Sequence, residues 1–216
     1  MNKKIIAQSK LFSGFSDPDI EYALSFFSAR NARYEKGEML SRPGEVLHSF
    51  GLVLSGNLHV CMDDFDGNSI IMAVVTPSHT FGESLCFLAK ESPIYICAVS
   101  DAEILWLSTD KIKTSSSDPR DVAIRSRFIS MLASKTLEMN DRVQILSKIK
   151  IRDRLITYFS QNVAKYGNHF TVPLSREAMA AYLGTNRSAL SRELCKMRDE
   201  GIIDFDKSSF TVKGHI

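Results

Sequence analysis

The sequence predicts an α+β chain made of an N-terminal antiparallel β-roll, one long helix and a C-terminal winged helix-turn-helix. Short β-rich runs separated by turn residues occupy positions 33–107. About thirty residues without Gly or Pro follow Asp118-Pro119. Two amphipathic segments then flank Gly184-Thr185-Asn186. We expect the parts to span 1–117, 118–147 and 148–216.

The roll is predicted from its turns and apolar runs. Asp66-Gly67-Asn68 joins two β-rich runs at 58–62 and 70–75, which indicates a hairpin because Gly tolerates the positive φ of such turns. Runs at 50–54, 95–99 and 104–107 supply further strands. Two short helices, at 5–11 and 19–27, are expected to pack on the roll.

The long segment after Pro119 carries an apolar seam with alternating steps of three and four residues. This spacing predicts a helix that pairs with the same helix of a second copy. The alternative is a helix that packs only on its own roll through Ile124, Phe128 and Met131, and one helix can make both contacts. The seam begins with Val122 and Arg125, and the predicted dimer interface is Ile129, Leu132, Thr136, Met139, Val143 and Leu146.

The C-terminal part has the signals of a winged helix-turn-helix. An amphipathic helix at 155–163 and a short strand at 170–174 come first. Ser175 is expected to cap a helix over 177–183, and Gly201 to end a second helix over 187–200. Strands at 202–205 and 209–212 around Asp206-Lys207-Ser208 predict the wing.

The second helix has one apolar and one polar face. Leu190, Leu194 and Met197 recur at helical spacing and should be buried, which turns the first polar residues outward. Arg192 is our candidate for reading guanine, and Ser191 with the amides near Asn186 for binding phosphate. The alternative is that the arginines only solvate an exposed helix. The predicted contacts to double-stranded DNA are Arg176, Arg187, Ser188, Ser191, Arg192 and Lys196.

Charge, cysteines and apolar runs limit the class of protein. Residues 148–216 hold 12 Lys+Arg against 7 Asp+Glu, and the remainder 15 against 18, which suits a basic nucleic-acid-binding module, although a chance imbalance would look the same. The cysteines are scattered, and His48, His59 and His79 do not form a metal-binding pattern, so we expect no metal or cofactor. No signal-peptide core or membrane-length run is present, so we expect a cytoplasmic protein without a membrane partner.

The order of parts resembles the CRP/FNR family of bacterial transcription regulators along essentially the whole chain. The segment 183–192 is similar to the family's recognition segment, and Lys36-Gly37-Glu38, Pro43-Gly44-Glu45, Leu54-Ser55-Gly56 and Phe81-Gly82-Glu83 resemble turns of its cyclic-nucleotide-binding-like roll. The resemblance implies a homodimeric regulator rather than an enzyme, with DNA and RNA polymerase as partners. It also implies that Arg192 is the recognition arginine and Ser191 its neighbour in the FNR-like branch. Ser188 departs from the Glu of many members.

The effector site departs further from the family pattern. Cyclic-AMP-binding members follow Phe-Gly-Glu with an arginine that neutralises the cyclic phosphate, but no arginine lies between Arg42 and Arg120. Lys90 is a poor substitute for a guanidinium. We therefore expect an unknown small-molecule effector other than cyclic AMP, with Gly82, Glu83 and Ser92 as candidate contacts. Glu83 can equally be a turn carboxylate.

Two other classes of protein stay open from the sequence. One is a cupin-like roll that binds a metal or small molecule, and the other is a nucleotide-binding regulatory subunit that acts on a protein partner. The iron–sulfur branch of the family is excluded, because the first cysteine is Cys61.

Overall fold

A computed structural model describes residues 3–63, 69–172 and 174–214. The first part opens with helices α1 (Lys3–Gln8) and α2 (Asp17–Phe26). The roll then contains strands β1 (Arg30–Tyr34), β2 (Met39–Ser41), β3 (Ser49–Ser55), β4 (Leu58–Asp63), β5 (Ser69–Val75), β6 (Thr80–Phe81), β7 (Tyr95–Ala98) and β8 (Ala102–Ser108), with helix α3 (Glu83–Leu88) after β6.

The roll consists of two antiparallel four-stranded sheets, in the orders β1-β8-β3-β6 and β2-β7-β4-β5. Successive side chains of a strand point to opposite faces. In β3 and β8, Val53 and Ile104 accordingly join the cluster shared with the second sheet, while Phe50 and Leu105 join a cluster with the helices. The predicted antiparallel roll is confirmed.

The predicted hairpin strands pair as β4 and β5, with Leu58 opposite Val75 and Asp63 opposite Ser69. The turn Asp66-Gly67-Asn68 lies outside the described residues. The sequence reasoning missed β1, β2, β6 and α3. In particular, it interpreted Phe81-Gly82-Glu83 as a turn only, whereas Gly82 has φ 80° and directly precedes α3.

Helix α4 (Pro119–Leu146) is the predicted long helix. The chain divides into two compact units, Met1–Lys135 and Thr136–Ile216, and the boundary falls inside this helix. In the first unit Ile124, Phe128 and Met131 are buried against α1, α2 and the outer face of β3 and β8. The apolar face proposed to pack on the roll therefore does so.

The second unit contains the end of α4, α5 (Ile151–Tyr166), α6 (Arg176–Tyr182) and α7 (Arg187–Asp199). A three-stranded antiparallel sheet in the order β10-β11-β9 completes it, formed by β9 (His169–Thr171), β10 (Ile203–Asp206) and β11 (Ser209–Val212). Ile145, Phe159 and Leu194 are fully buried in one core that joins these elements. The predicted winged helix-turn-helix is confirmed.

Candidate nucleic-acid interface

Each helix of the helix-turn-helix begins at a side-chain cap. The Ser175 hydroxyl accepts a hydrogen bond from the Ala178 amide at 3.1 Å, and the Asn186 side-chain oxygen accepts one from the Ala189 amide at 2.8 Å. Both caps use an amide that has no partner within the first helical turn. Gly184 has φ 62° in the turn between them. These local signals fix where α7 starts.

Arg154 holds the turn in place, and the sequence reasoning did not identify it. Its Nη1 donates to the carbonyls of Leu183 at 3.0 Å and Gly184 at 2.8 Å, and its Nε donates to the carbonyl of Lys148 at 2.7 Å. One guanidinium thus ties the segment before α5 to the turn before α7. The planar guanidinium holds its Nε and Nη1 donors at a fixed separation, so one side chain reaches the carbonyls of both segments.

Helix α7 has the two faces that the sequence predicted. Leu190, Leu194 and Met197 are completely buried. Arg187, Ser188 and Arg192 are exposed on the opposite side, and Ser191 is half-buried beside them. Further along, the exposed Lys196 lines a shallow groove together with Ser191 and Arg192. Five of the six predicted DNA contacts therefore lie on one accessible helix.

Arg176, the sixth predicted contact, has a different environment. Its guanidinium carbon lies 4.9 Å from the ring centroids of both Phe205 and Phe210. Burial against the wing lowers the pKa of this guanidinium from its ordinary value. The side chain is half-buried and packs α6 on the wing.

The wing is a short hairpin. Strands β10 and β11 pair from Ile203 opposite Val212 to Asp206 opposite Ser209, and Lys207 takes φ 51° in the turn. Lys213 donates to Asp204 at 2.8 Å across the hairpin, which lowers the pKa of Asp204. The exposed lysine at the tip of the wing is Lys207.

Glu193 of α7 and Glu200, which follows the last residue of the helix, are both paired with α5. Arg152 donates to Glu193 at 3.3 Å and also pairs with Glu200. The hydrogen bond from Arg152 lowers the pKa of the Glu200 carboxyl. The exposed Arg187, Arg192 and Lys196 supply accessible positive charge along α7 that can meet a polyanion.

The three candidate effector residues are engaged within the roll. Glu83 is 4% exposed and accepts a hydrogen bond from Lys135 of α4 at 2.5 Å. The Ser92 hydroxyl is buried and donates to the carbonyl of Ile94 at 2.9 Å. A Cβ on Gly82 would lie 2.9 Å from Leu47 Cδ1. Glu83 and Ser92 are thus hydrogen-bonded to groups of the protein, and Gly82 has little room for a side chain.

The predicted dimer seam of α4 is largely uncovered. Ile129, Met139 and Val143 are 65%, 69% and 64% exposed, and Leu146 is 38% exposed. Thr136 is also exposed, whereas Leu132 is half-buried against the helical core of the first unit. Large exposed apolar side chains that recur along one helix are typical of a surface that binds another protein.

Within the described ranges, no group of three or more His, Cys, Asp or Glu side chains is placed to hold a metal ion. Across the same part of the chain, no helix combines the length and the apolar character needed to cross a membrane.

Comparison with known proteins gives two family-model matches. A cyclic nucleotide-binding domain matches residues 32–114, and a Crp-like helix-turn-helix domain matches residues 149–213. The cyclic AMP receptor protein of Thermus thermophilus is 24% identical over 205 residues, which cover 95% of this chain and 93% of that protein.

Solved structures share the fold. FixK2 from Bradyrhizobium japonicum superposes with a TM-score of 0.65 at 18% identity and covers 86% of this chain and 93% of its own. The c-di-GMP-responsive regulator CLP from Xanthomonas campestris gives a TM-score of 0.66 at 18% identity, with 93% of this chain and 100% of its own covered.

Proposed function

Because the chain belongs to the CRP/FNR family of transcription regulators, we propose that it acts as a homodimer that reads double-stranded DNA through α7 and responds to an effector other than cyclic AMP. The family comprises transcription regulators rather than enzymes, and the cupin-like alternative is not favoured. We place this activity in the cytoplasm, with RNA polymerase as a further partner.

The observation that carries the DNA-reading proposal is the exposed polar face of α7, set opposite a fully buried stripe. Its start is the part of a recognition helix that faces base edges. Arg192 reads a guanine through its O6 and N7, and Arg187 and Ser188 contact neighbouring positions. Phosphates are bound by Ser191, by the exposed Lys196 and by Arg176 at the start of α6, which sets register without reading sequence.

Two substitutions separate base reading from phosphate binding. Arg192→Ala should cost about 1 to 3 kcal/mol of discrimination at one base pair and relax the preference there. Lys196→Ala should weaken binding to all sequences alike and reduce the slope of log affinity against log salt by about 1. Affinities are measured by fluorescence anisotropy on genomic fragments selected by the unsubstituted protein.

Lys4→Ala is the matched control, because it removes one exposed cation from α1 instead of α7. Its affinity and salt slope should equal those of the unsubstituted protein. An Arg192→Ala protein with unchanged sequence preference would contradict the assigned role of Arg192.

The homodimer proposal is supported by the exposed stripe on α4. Two copies of this helix would bury Ile129, Met139 and Val143 between them, and a two-fold dimer would present its recognition helices to half-sites one helical turn apart. Val143→Asp should shift the protein to monomers in sedimentation at micromolar concentration. Leu137→Asp is the control, because Leu137 is 66% exposed on the same helix but lies outside the seam.

The proposal of a different effector is supported by the absence of arginine between Arg42 and Arg120 in the sequence and by the engaged state of Glu83. Calorimetric titration with cyclic AMP should give no binding at micromolar concentration. A micromolar or tighter constant would contradict this part of the proposal.

A further inference from the structure

The ammonium of Lys135 binds the segment 80–83, which links β6 to α3. Lys135 of α4 donates from its ammonium to Glu83 Oε1 at 2.5 Å and to the carbonyl of Thr80 at 2.6 Å. Beside it, the Thr80 hydroxyl donates to Met131 Sδ at 3.4 Å. We call the Glu83 carboxylate and the Thr80 carbonyl, together with the Lys135 ammonium that binds both, the Glu83 corner. It joins β6, an edge strand of the first sheet, and the start of α3 to the long helix.

Lys135 continues the buried stripe of α4. Ile124, Phe128 and Met131 follow one another at steps of four and three residues, and Lys135 stands at the next step of four. The first three are 2%, 1% and 2% exposed. Lys135 is therefore the polar end of the face that α4 packs on the roll, with its ammonium on the Glu83 carboxylate.

The two partners differ in their access to water, and this decides what each substitution does. The Glu83 side chain is 5% exposed and that of Lys135 is 31% exposed. A carboxylate this deeply buried needs a partner, so removal of Lys135 alone leaves an unpaired charge inside the protein. Removal of both charges avoids that penalty. The pair should thus behave as a unit, with the single variants worse than the double variant.

We propose that Lys135 is a positioning residue that fixes α4 against the roll through its hydrogen bonds to Glu83 and Thr80. The proposal rests on the proposed function, because α4 also carries the exposed seam of Ile129, Met139 and Val143. When Lys135 is replaced, α4 loses its hydrogen bonds to Glu83 and Thr80, and the helix that carries the seam is fixed less firmly to the roll. Binding of DNA by two recognition helices at once then becomes weaker.

The test uses a double-mutant cycle of Lys135→Met and Glu83→Gln in the full chain, with Lys135→Arg as the conservative variant. Dialysed protein is titrated against a selected genomic fragment without any added small molecule. Lys135→Met should lose about 5-fold or more in affinity, while Lys135→Arg and the double variant should regain most of it. Urea unfolding followed by fluorescence of Trp106, which lies in β8, measures how much the contact between Lys135 and Glu83 stabilises the roll.

Lys3→Met is the matched control. Lys3 also donates to a carboxylate at 2.5 Å, that of Glu21, but both side chains are largely exposed, at 47% and 62%. Its DNA affinity and urea midpoint should stay unchanged, since exposed pairs contribute little.

The outcomes separate the two proposals. If the unsubstituted protein binds no DNA either alone or with a small-molecule extract of cells added, the proposed function is wrong. If it binds DNA only with the extract, the inference on Lys135 is overturned and the proposed function stands. If it binds DNA but Lys135→Met binds equally well, the inference on Lys135 alone is overturned. Strictly additive effects of the two substitutions on the urea midpoint would also overturn it, because they would show that the groups do not act as a pair.

Discussion

Replacing Gly184 with Ala should destabilise the winged module more than the same replacement at Gly201. Both glycines have positive φ, 62° and 75°, and an L-residue in this region costs about 1 to 2 kcal/mol. A Cβ on Gly201 would meet nothing within 4 Å, whereas one on Gly184 would lie 3.0 Å from Leu146 Cδ2 and 3.1 Å from Arg154 Nη1. Gly201→Ala therefore measures the backbone cost alone.

The additional cost at Gly184 comes from the arginine. Leu146 can rotate a methyl group away, but the Nη1 of Arg154 already donates to the carbonyls of Leu183 and Gly184. Displacing it weakens a hydrogen bond of a charged group, which is worth about 1.5 to 3 kcal/mol. We expect Gly184→Ala to cost about 2.5 to 5 kcal/mol, against about 1 to 2 kcal/mol for Gly201→Ala.

The assay is urea unfolding followed by far-ultraviolet circular dichroism. Fluorescence of Trp106, the single tryptophan of the sequence, monitors the roll separately. Equal losses of stability for the two variants would refute the reasoning, since they would show that the turn has room for a side chain beside Arg154.

Three further outcomes are expected. Arg154→Lys should keep the helix content but weaken specific DNA binding in anisotropy titrations, because a single ammonium nitrogen cannot stand at the places of both Nε and Nη1, which bind carbonyls on two different segments. Full affinity would contradict the role of Arg154. Cys195, which is exposed, should react with Ellman's reagent in the native protein, whereas the buried Cys86, whose pKa is raised by burial, should react only on unfolding; peptide mass spectrometry distinguishes them. Glu200→Gln should flatten the loss of stability in acid. Arg152 lowers the pKa of Glu200, so the pair stabilises the fold at pH values above the ordinary carboxyl pKa, and this contribution is lost as the pH falls through the lowered pKa. If the urea midpoints of the two proteins change with pH in the same way, this role of the pair is contradicted.

The helix-turn-helix could be predicted from the sequence because its signals are local. Ser175, Gly184 and Asn186 act within four residues of their own positions, and Leu190, Leu194 and Met197 form a stripe at helical spacing. Their predicted places agree with the structure to within about two residues, the usual uncertainty of helix ends. The apolar spacing along α4 is a local signal of the same kind, while its role as a dimer interface stays a prediction.

Contacts between distant elements could not be predicted in this way. Lys135 and Glu83 are 52 residues apart, and Arg154 and Gly184 are 30 apart. A lysine on the long helix or an arginine on α5 has the same local pattern as an exposed cation, so only the tertiary structure shows the carboxylate or carbonyls it binds. The short helix α3 was missed because six residues after a glycine carry too little periodicity.

The position of the boundary between the two compact units has a practical consequence for exchanging DNA-reading modules between regulators. Residues 136–146 of α4 belong with the reader: Ile145 is fully buried in its core, Arg142 stacks 5.0 Å from the Tyr182 ring, and Asp141 accepts from Lys165 at 2.7 Å. A graft begun at Lys148 would leave that core open on one side. A transplant that keeps its specificity should therefore start at Thr136 and carry three turns of the long helix with it.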